Sequence, residues 1–408
     1  MAGQFEGTMP LSGIRVLDLS QVVAGPFCTS ALADMGAEVV KLERPHIGDD
    51  LRHVGRYEGR GVHEDYFNAN NRSKKSIVLD LKLPADQSIA LELAKRADVL
   101  VENFAPGTTD RLGLGWERVH AANPRLLYCS MSGFGQTGPF RHRLALDPII
   151  QAVTGVMSVT GPPDGPPFMV GAPLADVISG LYAAYAIVAT LRLAEKDGIG
   201  RHIDISMQAA MLAALGPRMG QALQAGKSPN RIGNENLLRV PSNVYSTADG
   251  KFISIMVTND RHWPPFCRAL DRKEWLEDAR FASMSLRARN RTDIHRLAAE
   301  RIASEPYRHW SDALERERVP FARVNDYLEA LAHPQVAHRG LIREVQHPAS
   351  GPIRVVGPPW VVTDMEAAVE SPPMLGEHTR DVLKHWLKLP DAEIDSIISR
   401  SAAPRDDA

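Results

Sequence analysis

The sequence has few features of a secreted or metal-binding protein. Its three cysteines, Cys28, Cys129 and Cys267, lie far apart and form no CxxC pair, which argues against a disulfide framework or a zinc site. Its histidines form no HExxH or i,i+4 ligand pair, so no metal site is predicted. Residues 1–7 have neither the basic start nor the apolar run of a signal peptide. We therefore expect a cytoplasmic protein with reduced thiols.

The sequence also has no excess of positive charge and no dinucleotide-binding fingerprint. A net charge of −2 argues against a nucleic-acid partner. The turn after the first predicted strand, residues 20–26, reads SQVVAGP instead of GxGxxG, so an NAD enzyme is the least favoured interpretation. The longest apolar run follows Asp176, and Arg192 is its only ionised residue as far as Leu193. It contains Ser179, Gly180 and two tyrosines, and this predicts a mostly buried core helix and no membrane span.

Strand and helix patterns alternate through the first half of the chain, which predicts a parallel sheet covered by helices. The predicted strands are residues 13–19, 38–43, 76–81, 98–103, 125–131 and 201–206, and the main predicted helices are residues 27–35, 84–96, 177–193 and 207–225. A new unit begins with two alternating segments, residues 243–247 and 252–256, joined by a hairpin turn. With 408 residues, the chain is long enough for two domains.

One carboxylate opens the apolar helix. The segment Gly171-Ala172-Pro173 leads to Asp176, and proline with a nearby acid is typical of a helix start. The positive end of the helix dipole favours the ionised form of such an acid. Two interpretations follow: Asp176 only caps a core helix, or it is a positioned carboxylate nucleophile.

Many short stretches along the chain together resemble the class III CoA-transferase family, of the formyl-CoA transferase type, which also contains α-methylacyl-CoA racemases. The matching stretches are residues 10–19, 24–26, 36–43, 48–49, 71–76, 101–104, 106–107, 132–135, Asp176, 233–234, 249–250 and 375–379. Their order and spacing agree over nearly the whole chain.

The resemblance implies a large α/β domain with a Rossmann-like parallel sheet, a smaller α+β domain, and a C-terminal return to the large domain. It also implies a homodimer of two interlocked subunits. On this basis we divide the chain into a large CoA-binding domain (1–215), a linker (216–235), a small domain (236–330) and a return segment (331–408).

The resemblance further implies that Asp176 is the catalytic nucleophile of an acyl-CoA:carboxylate CoA-transferase. The partners would be an acyl-CoA donor and a carboxylic acid acceptor. Each step exchanges one activated acyl group for another, so neither ATP nor a permanently bound cofactor is required.

The resemblance assigns candidate binding residues position by position. Arg44 would contact the nucleotide, Arg111 and Leu112 the adenine, and Asn103 and Phe104 the pantetheine. Lys74 and Lys75 are phosphate-binding candidates or simply solvated lysines. The remaining candidates near the acyl-thioester are Val23, Ala24 and Phe134 as CoA contacts, and Gly25, Gly133 and Gly135 as substrate or oxyanion contacts.

Three departures from the formyl-CoA transferases bear on the substrate. Val23 stands where they have Gln, Phe134 where they have Tyr, and residues 236–245 lack their glycine-rich lid. A formyl/oxalate pair is therefore disfavoured, and a C4–C5 dicarboxylic or aryl-substituted acid is expected. Arg239 could pair with a distal carboxylate or be an exposed arginine.

A racemase is the main alternative. Racemases of this family place a histidine before an aspartate, and the matching pair here is Leu146-Asp147. Leu146 cannot move a proton, and α-proton chemistry needs a second acid or base. His142, four residues upstream, is the one substitute in this segment. A non-catalytic acyl-CoA-binding protein is a further alternative, which an intact Asp176 disfavours.

Overall fold

The computed structural model describes residues 9–54 and 65–402, which fall into two compact units. The first unit comprises Met1–Met157, Met169–Ser228 and Gln335–Ala408, and the second comprises Ser158–Phe168 and Pro229–Pro334. The segment on which the signal-peptide prediction depends, residues 1–7, lies outside the described residues.

A six-stranded parallel sheet forms the centre of the first unit and confirms the predicted α/β class. Its strands are β1 (Arg15–Asp18), β2 (Glu38–Glu43), β3 (Lys74–Val78), β4 (Val99–Glu102), β5 (Leu127–Ser132) and β6 (His202–Ser206). The strand order is β3-β2-β1-β4-β5-β6, with every neighbouring pair parallel. The order reverses between β1 and β4, and sheets of this kind bind ligands beyond the carboxyl ends of the strands at that point.

Helices cover both faces of this sheet. Those that precede the second unit are α1 (Ala24–Asp34), α2 (Asp65–Asn70), α3 (Pro84–Arg96), α4 (Thr108–Arg111), α5 (Trp116–Ala122), α6 (Asp147–Val153), α7 (Leu174–Asp197), α8 (Met207–Ala214) and α9 (Gly216–Ala225). The continuous helix predicted for residues 207–225 is interrupted at Leu215, since Pro217 has no N–H to continue the ladder. The predicted linker thus begins with a helix.

The second unit contains a three-stranded antiparallel sheet with helices, in the order β7-β8-β9. Its elements are β7 (Ser242–Ser246), β8 (Phe252–Met256), α10 (Trp263–Ala269), α11 (Met284–Arg289), α12 (Arg291–Ile302), α13 (Tyr307–Arg316), β9 (Phe321–Arg323) and α14 (Tyr327–Leu331). Trp263, Phe266, Trp275 and Trp310 supply much of its buried core.

The chain then returns to the first unit. The last elements are α15 (Pro334–His338), β10 (Ile342–His347), β11 (Gly351–Val356), α16 (Thr379–Leu387) and α17 (Asp391–Ala402). Strand β11 pairs antiparallel with β10, and β11 was not among the strands predicted above. Val382, Trp386 and Ile397 join the core on the α3 side of the sheet, so the C-terminal residues complete that layer.

Helix α7 packs against α1 through a stripe of small residues. An added Cβ at Gly180 would lie 2.7 Å from the carbonyl oxygen of Ala24, so glycine permits the close approach of the two helices. The other side of α7 is apolar but exposed, with Leu181 53% and Tyr185 72% accessible. The helix was predicted to be mostly buried, and in the single chain that prediction is wrong. By length and hydropathy, α7 is the one described helix that could span a membrane, but it packs within the first unit.

Candidate active site

A cavity of about 310 Å³ opens at the point where the strand order reverses. It is enclosed by the loops that follow β1, β4 and β5, by the start of α7 and by Met207 of α8. The lining residues are Gln21, Val22, Val23, Ala24, Asn103, Phe104, Ala105, Pro106, Met131, Ser132, Gly133, Arg141, His142, Arg143, Leu144, Ala145, Leu146, Asp176 and Met207. Of the predicted site residues, Val23, Ala24, Asn103, Phe104, Gly133 and Asp176 are thus brought together.

Asp176 lies in the first turn of α7, and a second carboxylate caps that turn. Pro173 precedes the helix and makes no side-chain cap. Instead, Asp147 Oδ1 accepts the N–H of Ala175 at 2.7 Å and lies 3.4 Å from the N–H of Asp176. Gln151 Nε2 donates to the other oxygen of Asp147 at 2.7 Å. The amides at the start of α7 therefore stabilise Asp147 and not the predicted nucleophile.

The electrostatics of Asp176 differ from the expectation of an acid stabilised by the helix dipole. Burial, and then the nearby charge of Asp147, raise the pKa of Asp176 to about 7. A carboxylate of this kind is poorly solvated and more basic than an exposed aspartate, which suits a nucleophile. Asp147 was missed as a functional residue because only the absence of histidine at Leu146 was considered. The Asp-Pro pair at residues 147–148, typical of a helix start, was the available signal.

The loop after β1 leads into the amino end of α1 beside the cavity. Asn103 holds this loop: its Oδ1 accepts the N–H of Gln21 at 2.8 Å, and its Nδ2 donates to the carbonyl of Gln21 at 2.7 Å. The N-cap residue of α1, Val23, makes no side-chain cap. Among the described residues, neither the N–H of Ala24 nor that of Gly25 has a hydrogen-bond acceptor, and because Ala24 lines the cavity, its N–H is a candidate donor to an anionic oxygen there.

Gly25 itself contacts the loop and does not line the cavity. A Cβ at Gly25 would lie 2.2 Å from Ser20 Cβ and 3.3 Å from Asn103 Cγ. Only glycine allows this approach of α1 to the loop.

The glycine-rich loop after β5 is only partly at the cavity. Gly133 lines it, and an added Cβ there would lie 2.3 Å from Ala145 Cβ. The N–H of Gly135 donates to Ser132 Oγ at 3.1 Å, so it is not free to bind an oxyanion, and the prediction for Gly135 is wrong. Phe134 packs against Phe140 with ring centroids 5.7 Å apart and does not line the cavity.

Two arginines and a histidine line the same cavity as the acidic Asp176. They are Arg141, His142 and Arg143, all on the exposed segment before α6. Among the described residues that line the cavity, Asp176 is the only acidic one, so this part of the cavity suits anionic ligands. The arginines were missed, and no spacing rule would have separated them from the many other exposed arginines of the chain.

The predicted nucleotide contacts lie on loops near the same edge of the sheet but outside the lining of the cavity. Arg44 directly follows β2, is half-exposed, and donates to the carbonyl of Gly48 at 3.0 Å. Arg111 ends α4, is exposed, and donates to Thr108 Oγ1 at 3.0 Å, and Leu112 follows it. Their roles stay predictions.

The two lysines at the start of β3 do not belong to the cavity. Lys74 is fully buried, and its ammonium bonds to Asp18, to the carbonyl of Pro26 and to Asn71. A phosphate cannot reach it, so the prediction for Lys74 is wrong. Lys75 pairs with Glu38 at 2.6 Å. Glu38 is the first residue of β2 and Lys75 the second of β3, so this pair lies at the amino ends of the strands, whereas the cavity is at the carboxyl ends.

Among the described residues, no group of three or more His, Cys, Asp or Glu side chains is placed to hold a metal ion.

Comparison with known proteins identifies the family. The model of CoA-transferase family III matches residues 11–379. The chain therefore belongs to CoA-transferase family III and is a CoA-transferase enzyme.

Several relatives with assigned activities are similar over almost their whole length. The human succinyl-CoA:glutarate CoA-transferase is 37% identical over 96% of this chain and 89% of the relative. The acetyl-CoA:oxalate CoA-transferase of Acetobacter aceti is 38% identical over 92% of this chain and 96% of the relative. A solved CAIB/BAIF family protein from Brucella suis matches with a TM-score of 0.83 and 34% identity, covering 95% of this chain and all of that one.

Proposed function

We propose that this enzyme transfers CoA from an acyl-CoA to a carboxylic acid through covalent intermediates on Asp176. One observation carries the proposal: Asp176, with a pKa of about 7, lines the same cavity as the uncapped amino end of α1. A nucleophile and backbone N–H groups for a developing oxyanion are thereby brought together.

The transfer balances without any further reagent. The Asp176 carboxylate attacks the thioester carbonyl of the donor, the C–S bond breaks, and CoA leaves as the thiolate with a mixed anhydride on Asp176. The thiolate attacks the Asp176 carbonyl of the anhydride and releases the donor carboxylate, which leaves an aspartyl-CoA thioester. The acceptor carboxylate attacks this thioester, and the expelled thiolate then attacks the acceptor acyl group of the new anhydride. New acyl-CoA leaves and Asp176 is regenerated.

The cavity residues divide between these partners. Val23, Ala24, Asn103 and Phe104 would contact the pantetheine and acyl-thioester, and the N–H of Ala24 would bind the oxyanion. Gly133 leaves room for the substrate. Arg44, Arg111 and Leu112, at the carboxyl-end edge of the sheet, remain candidates for the nucleotide, whereas Lys75 lies at the opposite edge, paired with Glu38.

The substrates are proposed to be small dicarboxylic acids. Relatives named for succinyl-CoA, glutarate and oxalate are 36–38% identical to this chain. Arg141 and Arg143 give the cavity the positive charge that an acid with a second carboxylate requires. Since oxalate appears in the name of one of these relatives, it belongs in the acceptor panel despite the substitution at Val23.

Peptide mass mapping tests the proposal. The enzyme is mixed with succinyl-CoA and hydroxylamine, and the Asp176 peptide is expected to carry a hydroxamate or a CoA adduct. Asp176→Ala, the matched control, should remain unlabelled, and acceptors (glutarate, oxalate, butyrate) should discharge the wild-type adduct. Labelling that persists in Asp176→Ala, or transfer without any adduct, would show that Asp176 is not the nucleophile.

The racemase alternative retains one supporting observation: His142 lines the same cavity as Asp176. It predicts exchange of the α-proton of 2-methylacyl-CoA with deuterated water, lost in His142→Ala. Exchange without CoA transfer would favour that alternative.

We also propose the interlocked homodimer, the domain division at residues 215, 235 and 330, and the cytoplasmic location. The exposed apolar side of α7 supports the first, and composition supports the last. Neither nucleic acid nor membrane is proposed as a partner.

A further inference from the structure

Residues 20–22, here called the β1 loop, include a residue in a strained backbone conformation. Val22 has a φ of 67°, in the left-handed region, where a β-branched side chain is an outlier. Gln21 and Val22 line the cavity of Asp176. Such a conformation persists only where the surrounding contacts hold the backbone in place. The contacts of this loop therefore identify the residues that maintain the strain.

Side chains from the ends of three neighbouring strands hold the β1 loop. Asp18 accepts the N–H of Ser20 at 2.9 Å, and Lys41 donates to the carbonyl of Ser20 at 2.6 Å. Asn103 holds both polar groups of Gln21, as described above. Both carboxylate oxygens of Asp49 lie 3.2 Å from the N–H of Val22. The strained residue is therefore tied to the protein by a carboxylate.

Asp49 is itself fixed by a buried ion pair. Its Oδ2 lies 3.0 Å from Lys41 Nζ, and neither side chain is exposed. Burial would lower the pKa of Lys41, but the carboxylates of Asp49 and Asp18 outweigh that effect and leave the pKa raised, so Lys41 keeps its positive charge. A buried ion pair tolerates little displacement, because an unpaired charge inside the protein is very unfavourable.

The surrounding charges extend this arrangement. The N–H of Asp49 donates to Glu43 Oε2 at 3.0 Å, and Glu43 pairs with buried Arg52 at 2.7 Å. On the other side, Asp18 lies 3.2 Å from Lys74. Three anions and three cations therefore meet beneath the β1 loop, in a region that does not line the cavity. Because these six side chains do not line the cavity, they can affect a bound substrate only through the position of the β1 loop.

We propose that Asp49, backed by Lys41, is a positioning residue for the transfer reaction. It holds Val22 in the left-handed conformation, and this fixes the cavity wall and the first N–H groups of α1 relative to Asp176. Gly25 couples the two, because α1 packs directly against Ser20 of the loop. A displacement of 1 Å in such a site can reduce the rate by about a hundredfold. The inference rests on the proposed function.

A double-mutant cycle tests whether Asp49 acts by enforcing the strained conformation. Asp49→Ala, Val22→Gly and the combined variant are compared with wild type by kcat and by KM for succinyl-CoA. Asp49→Ala should lower kcat by at least about tenfold while KM changes by less than about threefold. In the Val22→Gly background, the same replacement should lower kcat by less than about threefold, because glycine adopts φ 67° without steric cost. Equal losses in the two backgrounds would overturn the proposal.

Two further variants separate positioning from stability. Asp49→Asn keeps the side-chain volume and one acceptor, so it replaces alanine if Asp49→Ala fails to fold, and a smaller loss in the same direction is expected. Asp86→Asn is the matched control: Asp86 is also buried, accepts the N–H of Asp80 at 2.7 Å and pairs with Arg400, but it does not line or approach the β1 loop contacts. It should lower the melting temperature and leave kcat within about threefold.

Hydrogen exchange gives a readout that does not depend on transfer activity. Peptides spanning the β1 loop should exchange faster in Asp49→Ala than in wild type, whereas those of Asp86→Asn should be unchanged there. Unchanged exchange in a folded Asp49→Ala variant would overturn the inference. If wild type transfers CoA and Asp49→Ala is equally active, the positioning role alone fails. If wild type transfers nothing, the proposed function fails, while exchange still reports on the loop.

Discussion

The basicity of a carboxylate depends on whether it, or a neighbouring group, accepts the hydrogen bonds that nearby N–H groups donate. Asp176 is placed where a helix dipole would favour its charge, yet Asp147 accepts the N–H of Ala175 at that helix end. Asp176 is left partly desolvated and next to a like charge, so its pKa rises to about 7. The cost of burying this charge makes the carboxylate a better nucleophile than an exposed aspartate would be.

The pH dependence of loading follows from that pKa. In the proposed mechanism the ionised form of Asp176 attacks, so the single-turnover rate of adduct formation with succinyl-CoA should rise about tenfold per pH unit up to about pH 7 and then level off. Asp147→Asn retains an acceptor for the N–H of Ala175 and removes the repelling charge, and it should shift the inflection to lower pH. Burial is the larger cause, so the shift should be partial.

Asp312→Asn is the control for this measurement, because Asp312 is an exposed carboxylate of α13 in the second unit. Its inflection should coincide with that of wild type. An unchanged inflection in Asp147→Asn would show that the charge of Asp147 does not act on Asp176.

At the level of single residues, the sequence could identify Asp176 but not its environment. A helix start can be predicted from Pro173 and the apolar run, whereas Asp147 reaches it from 29 positions away. Lys74 and Lys75 illustrate the same limit. Neighbouring residues of a strand point to opposite faces, so the two lysines had to differ, but sequence pattern alone does not say which one is buried.

The packing of α1 against α7 is the element-scale feature on which the proposed site depends, since α1 would supply the N–H of Ala24 and α7 would supply Asp176. Gly180→Ala would place a Cβ 2.7 Å from the carbonyl of Ala24 and 3.0 Å from Phe27 Cδ1. The helices must separate to accept it, so we expect a loss of about 1–3 kcal/mol in the free energy of unfolding. Adduct formation on Asp176 should slow by about tenfold or more.

Gly220→Ala in α9 is the matched control, since nothing lies within 4 Å of the added Cβ. There, alanine should stabilise the protein by roughly 0.5–1 kcal/mol through helix propensity. Urea denaturation and single-turnover labelling measure both effects. A Gly180→Ala variant as stable and as active as Gly220→Ala would show that the contact of α1 with α7 does not set the site geometry.

At the element scale, the parallel sheet could be predicted because short strand patterns alternate with helix patterns at βαβ spacing. Strand β2, residues 38–43, was predicted at its observed bounds, and so was helix α3. Strand β11 could not be predicted in the same way, because Pro352 lies within it and proline argues against a strand. It is tolerated in a two-stranded hairpin, where each strand has a free edge.

At the scale of the whole molecule, the composition of the chain predicts the class of protein but not its oligomeric state. The balance of apolar and charged residues predicts a globular protein. Which side of an apolar helix stays exposed depends on how the helices pack. Helix α7 carries buried small residues on one side and exposed large ones on the other, whereas its sequence from Val177 to Leu191 contains no ionised residue that would mark the exposed side.

The exposed side of α7 carries the last prediction. Leu181, Tyr182, Tyr185 and Leu193 are 38–72% accessible in the single chain, an apolar stripe that monomeric proteins seldom leave in water. We expect a homodimer at micromolar concentration by light scattering coupled to size-exclusion chromatography. Tyr185→Glu would place a charge in an apolar interface and should yield monomer or aggregate. Leu276→Glu, on an exposed residue of the second unit, should remain dimeric. A wild-type monomer, or a Tyr185→Glu dimer of unchanged stability, would contradict an interface at α7.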